Sequence, residues 1–191
     1  MKRGQPSNMS FSEMTEADLS TYIDSLYSEK EIFWKSTEQE SDRGLALVCL
    51  AYLEGKLEDC LFEYMDRSPE ARELLKPSGP LGTMFARINM CICLKIIHRN
   101  TGRMLRVAAK IRNEFAHTFE ATFDDSPVKE LSISLLSEFN VENKPSDART
   151  CFSVAMLMLD RHLWPRPMEV AIYRDKLPDG IPTYISSPDD A

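Results

Sequence analysis

The sequence predicts an all-α protein, a multi-helix bundle that ends in a short extended or hairpin-like tail. Glycine is scarce, with 7 among 191 residues, and long β-rich runs are few. Apolar residues recur at helical spacing over several long segments, and Thr15 and Ser146 or Asp147 are predicted caps of the first and last of these segments. We therefore expect one helical domain over residues 1–163, with residues 1–12 disordered, and a proline-containing extension over residues 164–191.

The periodic segments predict a series of helices connected by short links. The expected helices begin at the Thr15 cap, near Asp42, at Pro69, near Gly82, near Arg103, near Pro127 and after Ser146 or Asp147. Trp164-Pro165-Arg166-Pro167 is expected to end helix formation. Beyond it, Val170 and Ile172 favour extended chain, and residues 178–180 carry a turn signal for a small hairpin.

Charge and composition restrict the class of partner. The formal net charge is -7, so the chain as a whole is repelled by phosphate backbones and complements a basic protein. No helix-turn-helix pattern is visible, and direct DNA binding is disfavoured. The apolar run 45–53 is too short to cross a bilayer, and no signal peptide follows Lys2 and Arg3, so a cytoplasmic protein is expected.

Five cysteines predict neither a metal centre nor a disulfide framework. They are Cys49, Cys60, Cys91, Cys93 and Cys151, all in apolar stretches, with no paired Cys-x-x-Cys motifs. Cys91 and Cys93 would point about 200° apart on a helix, so they would not hold one ion together. We expect free, mostly buried thiols and no cofactor.

One helix carries the residues best suited to bind a ligand. Met104, Ala108, Ile111 and Phe115 predict its buried face. The side chains that repeat on a second face are Arg106, Lys110, Asn113 and His117. This face could bind an anion or a carboxylate, and it is also what the solvated side of an amphipathic helix looks like.

Three blocks in fixed order resemble the mannitol repressor family. The blocks are Gly79-Pro80-Leu81-Gly82 with Phe85-Ala86-Arg87-Ile88, then Lys110-Ile111-Arg112-Asn113-Glu114-Phe115-Ala116-His117, then Phe123-Asp124-Asp125. The likeness is close over residues 78–127 and looser over 42–163. It implies an all-helical fold and a regulatory role in bacterial cells.

The same segment is similar to HEPN-type helical domains in its Arg-x4-His spacing. That resemblance implies that His117 would transfer protons, Arg112 would hold the scissile phosphate, and Asn113 would position one of them, in a metal-independent ribonuclease. On a continuous helix, however, residues five apart diverge by about 140°. The pair would converge only if the helix ended near Ala116 or if a homodimer brought two copies together.

The second predicted cluster is structural. Glu54 and Glu58 share one face of a long helix and are placed to pair with Arg87, Arg112 or Lys110. A carboxylate–guanidinium network inside the bundle is the expected result.

Two functions follow as hypotheses. The first is a non-catalytic regulatory protein that acts through protein contacts, with a basic partner as the charge suggests. An antitoxin or immunity-type protein that occludes a basic nuclease is one form of it, and an operon regulator is another. The alternative is a HEPN-like ribonuclease that uses Arg112 and His117.

Overall fold

The computed structural model describes residues 15–65 and 67–174, and every regular element in these ranges is helical. This confirms the predicted all-α bundle. The helices are α1 (Glu16–Thr37), α2 (Asp42–Tyr64), α3 (Pro69–Leu75), α4 (Met84–Cys93), α5 (Arg99–His117), α6 (Val128–Ser137), α7 (Ala148–Leu163) and α8 (Arg166–Arg174). The expected disorder of residues 1–12 and the hairpin around residues 178–180 lie outside the described residues.

Side-chain caps begin most of the helices where the sequence predicts. Thr15 and Asp18 form a reciprocal capping box at the start of α1. Four more helices begin with a side chain that accepts a backbone N–H two or three residues into the helix: Ser41, Ser68, Thr83 and Asp147. These bonds satisfy amides that the first helical turn leaves without partners.

Helix α2 is the centre of the bundle. It packs against α8, α5, α4, α7, α3 and α1, and its apolar residues reach every part of the core. The fully buried side chains on it include Leu50, Leu53, Leu57 and Leu61. Because α2 is covered by other helices on most of its surface, its apolar stripe is wider than that of a surface helix.

The link between α4 and α5 differs from the prediction. The sequence predicts one helix over residues 82–98, but α4 ends at Cys93 and Lys95 takes the left-handed region at φ 60°. Ile96 and Ile97 remain buried after the break, so the apolar pattern continues through a turn and does not reveal it. As a result α5 begins at Arg99, four residues earlier than expected.

The prediction of an extended segment after Pro165 is wrong for residues 166–174. These residues form α8, with Pro167 in its first turn, where proline has no helical hydrogen bond to lose. Val170 and Ala171 are buried, and α8 packs against α2 and α7. Pro165 lies between α7 and α8, and Pro167 lies inside α8, so the two prolines interrupt helix formation without ending it.

No helix among the described residues combines the length and apolarity that crossing a bilayer requires. Within the same residues, no cluster of three His, Cys, Asp or Glu side chains is arranged to hold a metal ion. Cys93 is exposed, and the other four cysteines are buried. Burial raises the pKa of the Cys49 and Cys91 thiols to about 12, so these two stay protonated at neutral pH.

Candidate functional site

The Gly79-Pro80-Leu81-Gly82 turn is built by close backbone contact. A Cβ atom on Gly82 would lie 2.4 Å from the carbonyl oxygen of Pro77 and 2.5 Å from that of Lys76. A Cβ on Gly79 would lie 2.4 Å from the carbonyl oxygens of Glu73 and Leu74. Because these neighbours are backbone atoms, they have little freedom to move away. Glycine is therefore required for the turn to fold against the end of α3.

The turn and the end of α3 each place one backbone carbonyl beside a buried arginine. Arg87, 5% exposed, donates from Nε to the Leu81 carbonyl at 2.9 Å and from a terminal nitrogen to the Leu75 carbonyl at 2.7 Å. Its guanidinium also pairs with Glu54 at 3.3 Å and Glu58 at 3.1 Å. We call Arg87, Glu54, Glu58 and the two carbonyls the Arg87 cluster. It ties α2, α3 and α4 together.

The predicted network therefore forms with three of its four members. Among the described residues, the half-buried Arg112 forms no hydrogen bond or ion pair, and it takes no part in the Arg87 cluster. The reason is position: Arg112 lies on α5, while Glu54 and Glu58 are already bound by Arg87 from α4. Sequence spacing gives the correct helix face for each residue, but it does not show which of the cations pairs with the two carboxylates.

The inward face of α5 is core, as predicted. Met104, Ala108, Ile111 and Phe115 are all buried. The Phe115 ring lies 4.9 Å from that of Phe123, so the Phe123-Asp124-Asp125 block contributes its aromatic ring to the same core. Packing alone accounts for these residues.

The outward face of α5 is a longer row of polar side chains than the sequence indicates. The early start of α5 adds Arg99 and Arg103 to the four predicted binding residues. The outward row is Arg99, Arg103, Arg106, Lys110, Asn113 and His117, spaced alternately by four and three residues. All are exposed except the half-buried Arg106. The row runs the full length of a 19-residue helix, about 27 Å.

Most of this row has no structural partner. Among the described residues, Arg99, Lys110, Asn113 and His117 form no side-chain hydrogen bond or ion pair. Arg103 pairs with Glu138 and Asn100. The outward row contains four Arg and Lys residues and no Asp or Glu, in a chain whose net charge is -7. The row is therefore a local cationic surface on an acidic protein.

Two exposed phenylalanines adjoin the outward row. Phe85 is 61% exposed, and the Arg106 guanidinium lies 5.4 Å from its ring centroid while donating to Asn89 at 2.6 Å. Phe119 is 89% exposed two residues beyond α5. Large exposed aromatic rings beside arginine are typical of protein–protein contact surfaces.

A neighbouring arginine holds the Phe119 loop in place. Arg43 on α2 donates to the carbonyl oxygens of Thr118 and Phe119 at 2.7 and 2.8 Å. Its guanidinium also lies 5.8 Å from the Phe119 ring. The exposed ring is thus presented by a fixed backbone, which lowers the entropy lost when it contacts a partner.

Arg112 and His117 do not converge in the single chain. Helix α5 continues through His117 without a break, and Thr118 caps it by donating its N–H to the Glu114 carbonyl. The two side chains therefore project about 140° apart. Asn113 lies beside His117 on the outward row, one turn away. The Arg-x4-His spacing is present, but one copy of the chain does not assemble the pair.

Comparison with known proteins gives no match: no family model, no curated protein and no solved structure is similar to this chain.

Proposed function

We propose that this protein is a non-catalytic regulatory protein that acts by binding a partner protein through the outward row of α5. The observation that carries this proposal is a division within α5. Its inward residues are used by the core, whereas Arg99, Lys110, Asn113 and His117 lack any structural partner among the described residues. Polar and charged side chains that no group of the fold satisfies are available to a ligand.

The net charge of the whole chain favours a basic partner, but the outward row itself is cationic, so its own target is an acidic segment. Arg106, Lys110, Asn113 and His117 lie on one line of the helix, and neighbouring members of this line are about 5–6 Å apart at Cβ. An acidic helix or strand would place carboxylates at similar intervals. Phe85 and Phe119 would supply the apolar contacts that charge alone does not give.

A comparison of captured proteins tests the proposal. The full chain and the Lys110→Glu/His117→Glu variant are each tagged, expressed in the native host and cross-linked. We expect an acidic protein in stoichiometric amount with the wild type and its loss with the variant. The affinity of the purified pair, measured by titration, should then fall at least tenfold with the double substitution. It should fall further as added salt screens the contact.

A matched control uses two exposed residues on another helix. Lys129→Glu and Glu130→Lys exchange charges on α6 without touching the outward row, and they should leave the affinity unchanged. Undiminished binding by the Lys110→Glu/His117→Glu variant would contradict the proposal, as would a partner that binds with no salt dependence.

One observation favours a second candidate, a HEPN-like ribonuclease. The Arg112 side chain is half-buried and forms no hydrogen bond or ion pair among the described residues, so its guanidinium is available to a ligand. His117 is exposed at the end of the same helix. A homodimer that apposes two copies of α5 would bring an arginine from one copy to a histidine of the other.

Incubation with a labelled single-stranded RNA in the presence of a metal chelator separates the two candidates. If the protein is a ribonuclease, we expect cleavage that His117→Ala and Arg112→Ala both abolish, while Lys110→Ala has little effect. If it is a binding protein, we expect intact RNA with the wild type and with all three variants. Cleavage lost in both variants would replace the first proposal by the second.

A further inference from the structure

Helix α1 buries little of its own surface. It has 22 residues, and Thr37 at its last position is the one buried residue along its described length. By contrast, α2 buries nine residues and α7 buries eight. Because local stability follows the contacts that an element buries, α1 has a lower free energy of local opening than these core helices.

The sequence of α1 also gives it little helical stability of its own. Thr21, Ser25, Ser28 and Ser36 lie inside the helix, and each hydroxyl donates to a carbonyl oxygen of the preceding turn at 2.6–3.0 Å. Serine and threonine are weaker helix formers than alanine or leucine, and such bonds to the helix backbone do not strengthen it. Contacts with the other helices must therefore hold α1 in place.

A buried carboxylate supplies one such contact. Asp160 on α7 is fully buried, and its Oδ2 accepts the Trp34 indole N–H at 2.9 Å and lies 2.9 Å from the Lys30 ammonium. Tyr52 on α2 is hydrogen-bonded to the same carboxylate. Burial, followed by the charge of Asp160 and this bond, raises the pKa of Tyr52. Lys30 and Trp34 are four residues apart, so one turn of α1 supplies the cation and one of the neutral donors.

This anchor makes the position of α1 depend on two side chains. Lys30 and Trp34 contact Asp160 only while α1 is in place, so they stabilise the closed arrangement and not an open one. Without the Lys30 ammonium, the closed arrangement would hold a buried carboxylate that has no cation, which is costly. Loss of either contact therefore shifts the balance towards opening of α1.

Both tryptophans of the chain lie at this anchor. Trp34 donates to Asp160, and Trp164, directly after α7, packs on Tyr27 of α1 with ring centroids 4.5 Å apart. The Lys30 ammonium also lies 5.4 Å from the centroid of the Trp164 ring. Opening of α1 would change the surroundings of both indole rings at once. Tryptophan fluorescence therefore reports on α1 separately from the helix content of the whole chain.

A groove of about 900 Å³ lies between α1, α2 and α8. Tyr22, Leu26 and Glu29 of α1 line one side of it, Phe62 of α2 lines the floor, and Met168 of α8 lies on another side. Movement of α1 would remove one wall, so the position of α1 controls how open this groove is.

We propose that α1 is a strap that opens as a unit while α2–α8 stay folded, and that the contacts of Lys30 and Trp34 with Asp160 determine how often it opens. Opening uncovers the face of α2 that carries Tyr52 and widens the groove. This conformational device is separate from the outward row of α5, so it goes beyond the function proposed above.

Urea denaturation of the full chain, followed by two signals, tests whether α1 opens alone. Tryptophan fluorescence follows α1, and far-ultraviolet circular dichroism follows mainly α2–α8. We expect the fluorescence transition at a lower urea concentration than the main circular-dichroism transition. Coincident transitions would contradict the proposal, because α1 would then open only when the whole chain unfolds.

Hydrogen exchange measured by mass spectrometry tests what holds the strap. In the wild type, the α1 amides should exchange roughly a hundredfold faster than those of α2 and α7, or more. Lys30→Met removes the ammonium and keeps the hydrocarbon stem, and it should speed α1 exchange roughly tenfold with little change in α2. Trp34→Phe removes the indole N–H and keeps an aromatic ring, and it should speed α1 exchange about threefold or more.

A matched control uses a second lysine of the same helix. Lys35 is exposed and forms no ion pair among the described residues, so Lys35→Met should leave α1 exchange within about threefold of the wild type. Equal acceleration by Lys30→Met and Lys35→Met would overturn the role of the anchor, as would unchanged exchange in both Lys30→Met and Trp34→Phe. Exchange of the wild-type α1 amides at the rate of α2 would overturn the strap itself, whether or not the variants fold.

Discussion

The Arg87 cluster and the outward row of α5 use the same kind of side chain in opposite ways. Arg87 is buried and binds two carboxylates and two backbone carbonyls. Lys110 and His117 are exposed and bind nothing among the described residues. Arg87, Lys110 and His117 all lie in the three distinctive sequence blocks within residues 79–125. The number of partners each side chain has, rather than its place in a motif, indicates whether it supports the fold or is available to a ligand.

This difference shows why the residues of a motif should be sorted by their structural roles before a function is inferred from them. Gly79, Gly82, Arg87, Phe115 and Phe123 all have a physical reason in the fold itself. Arg112, Asn113 and His117 have none. The segment is therefore part scaffold and part candidate site.

The largest expected effect is on the scaffold side. Arg87→Met should lower the free energy of unfolding by about 3–5 kcal/mol, because Glu54 is left without its cation and the Leu75 and Leu81 carbonyls lose their donors. Arg87→Lys should recover only part of this loss, since an ammonium cannot span the same set of acceptors. Urea denaturation followed by circular dichroism measures both. A loss below about 1 kcal/mol would mean that the cluster is not structural.

A smaller loss is expected from the turn that positions the cluster. Gly82→Ala should cost about 1–3 kcal/mol because its Cβ would meet two backbone carbonyls. Gly44→Ala is the matched control, because there the Cβ meets the movable carboxylate of Glu40 near the start of α2. The control should be neutral or slightly stabilising. Similar thermal unfolding of the two variants would show that the turn can relax.

The smallest effect concerns a cap that shares no residue with either region. The Thr150 N–H bonded to Asp147 holds the pKa of this carboxyl below its usual value. Because the folded pKa is depressed, the cap stabilises the protein above about pH 4 and loses this effect as pH falls through the folded value. Asp147→Ala should cost about 1 kcal/mol at pH 7, and Asp147→Asn should keep the cap but lose the part of the pH dependence that Asp147 contributes. Unfolding curves between pH 7 and pH 3 check both; an Asn variant that loses as much stability as the wild type between these pH values would contradict this account.

Sequence periodicity predicts the helices well where an apolar stripe is interrupted by polar residues. It predicts the starts of α1, α2, α3 and α7 within a residue or two, because Thr15 and Asp147 are recognisable caps and Pro69 opens α3. It does not predict that α1 continues to Thr37, because Ile32-Phe33-Trp34 suggests a link there. It misses the end of α4, since Ile96 and Ile97 stay buried across a turn. It also misses α8, because Pro165 and Pro167 suggest the end of helix formation, whereas Pro167 in fact lies in the first turn of a new helix.

The candidate site is harder to predict for a related reason. Spacing alone identifies Arg106, Lys110, Asn113 and His117 as one face of a helix. It does not show that Arg99 and Arg103 extend that face, because this depends on where α5 begins. It gives no sign of Asp160, whose importance comes from contacts with Lys30 and Trp34, more than 120 residues away in the chain.

The most direct test of the division between scaffold and site compares unfolding free energies within one set of variants. The triple substitution Arg99→Ala/Lys110→Ala/His117→Ala removes three unpartnered side chains of the outward row. We expect its free energy of unfolding to stay within about 1 kcal/mol of the wild-type value. The free energy of unfolding of Arg87→Met should instead fall by about 3–5 kcal/mol. A loss from the triple variant as large as that from Arg87→Met would contradict the account, because the outward row would then be part of the scaffold.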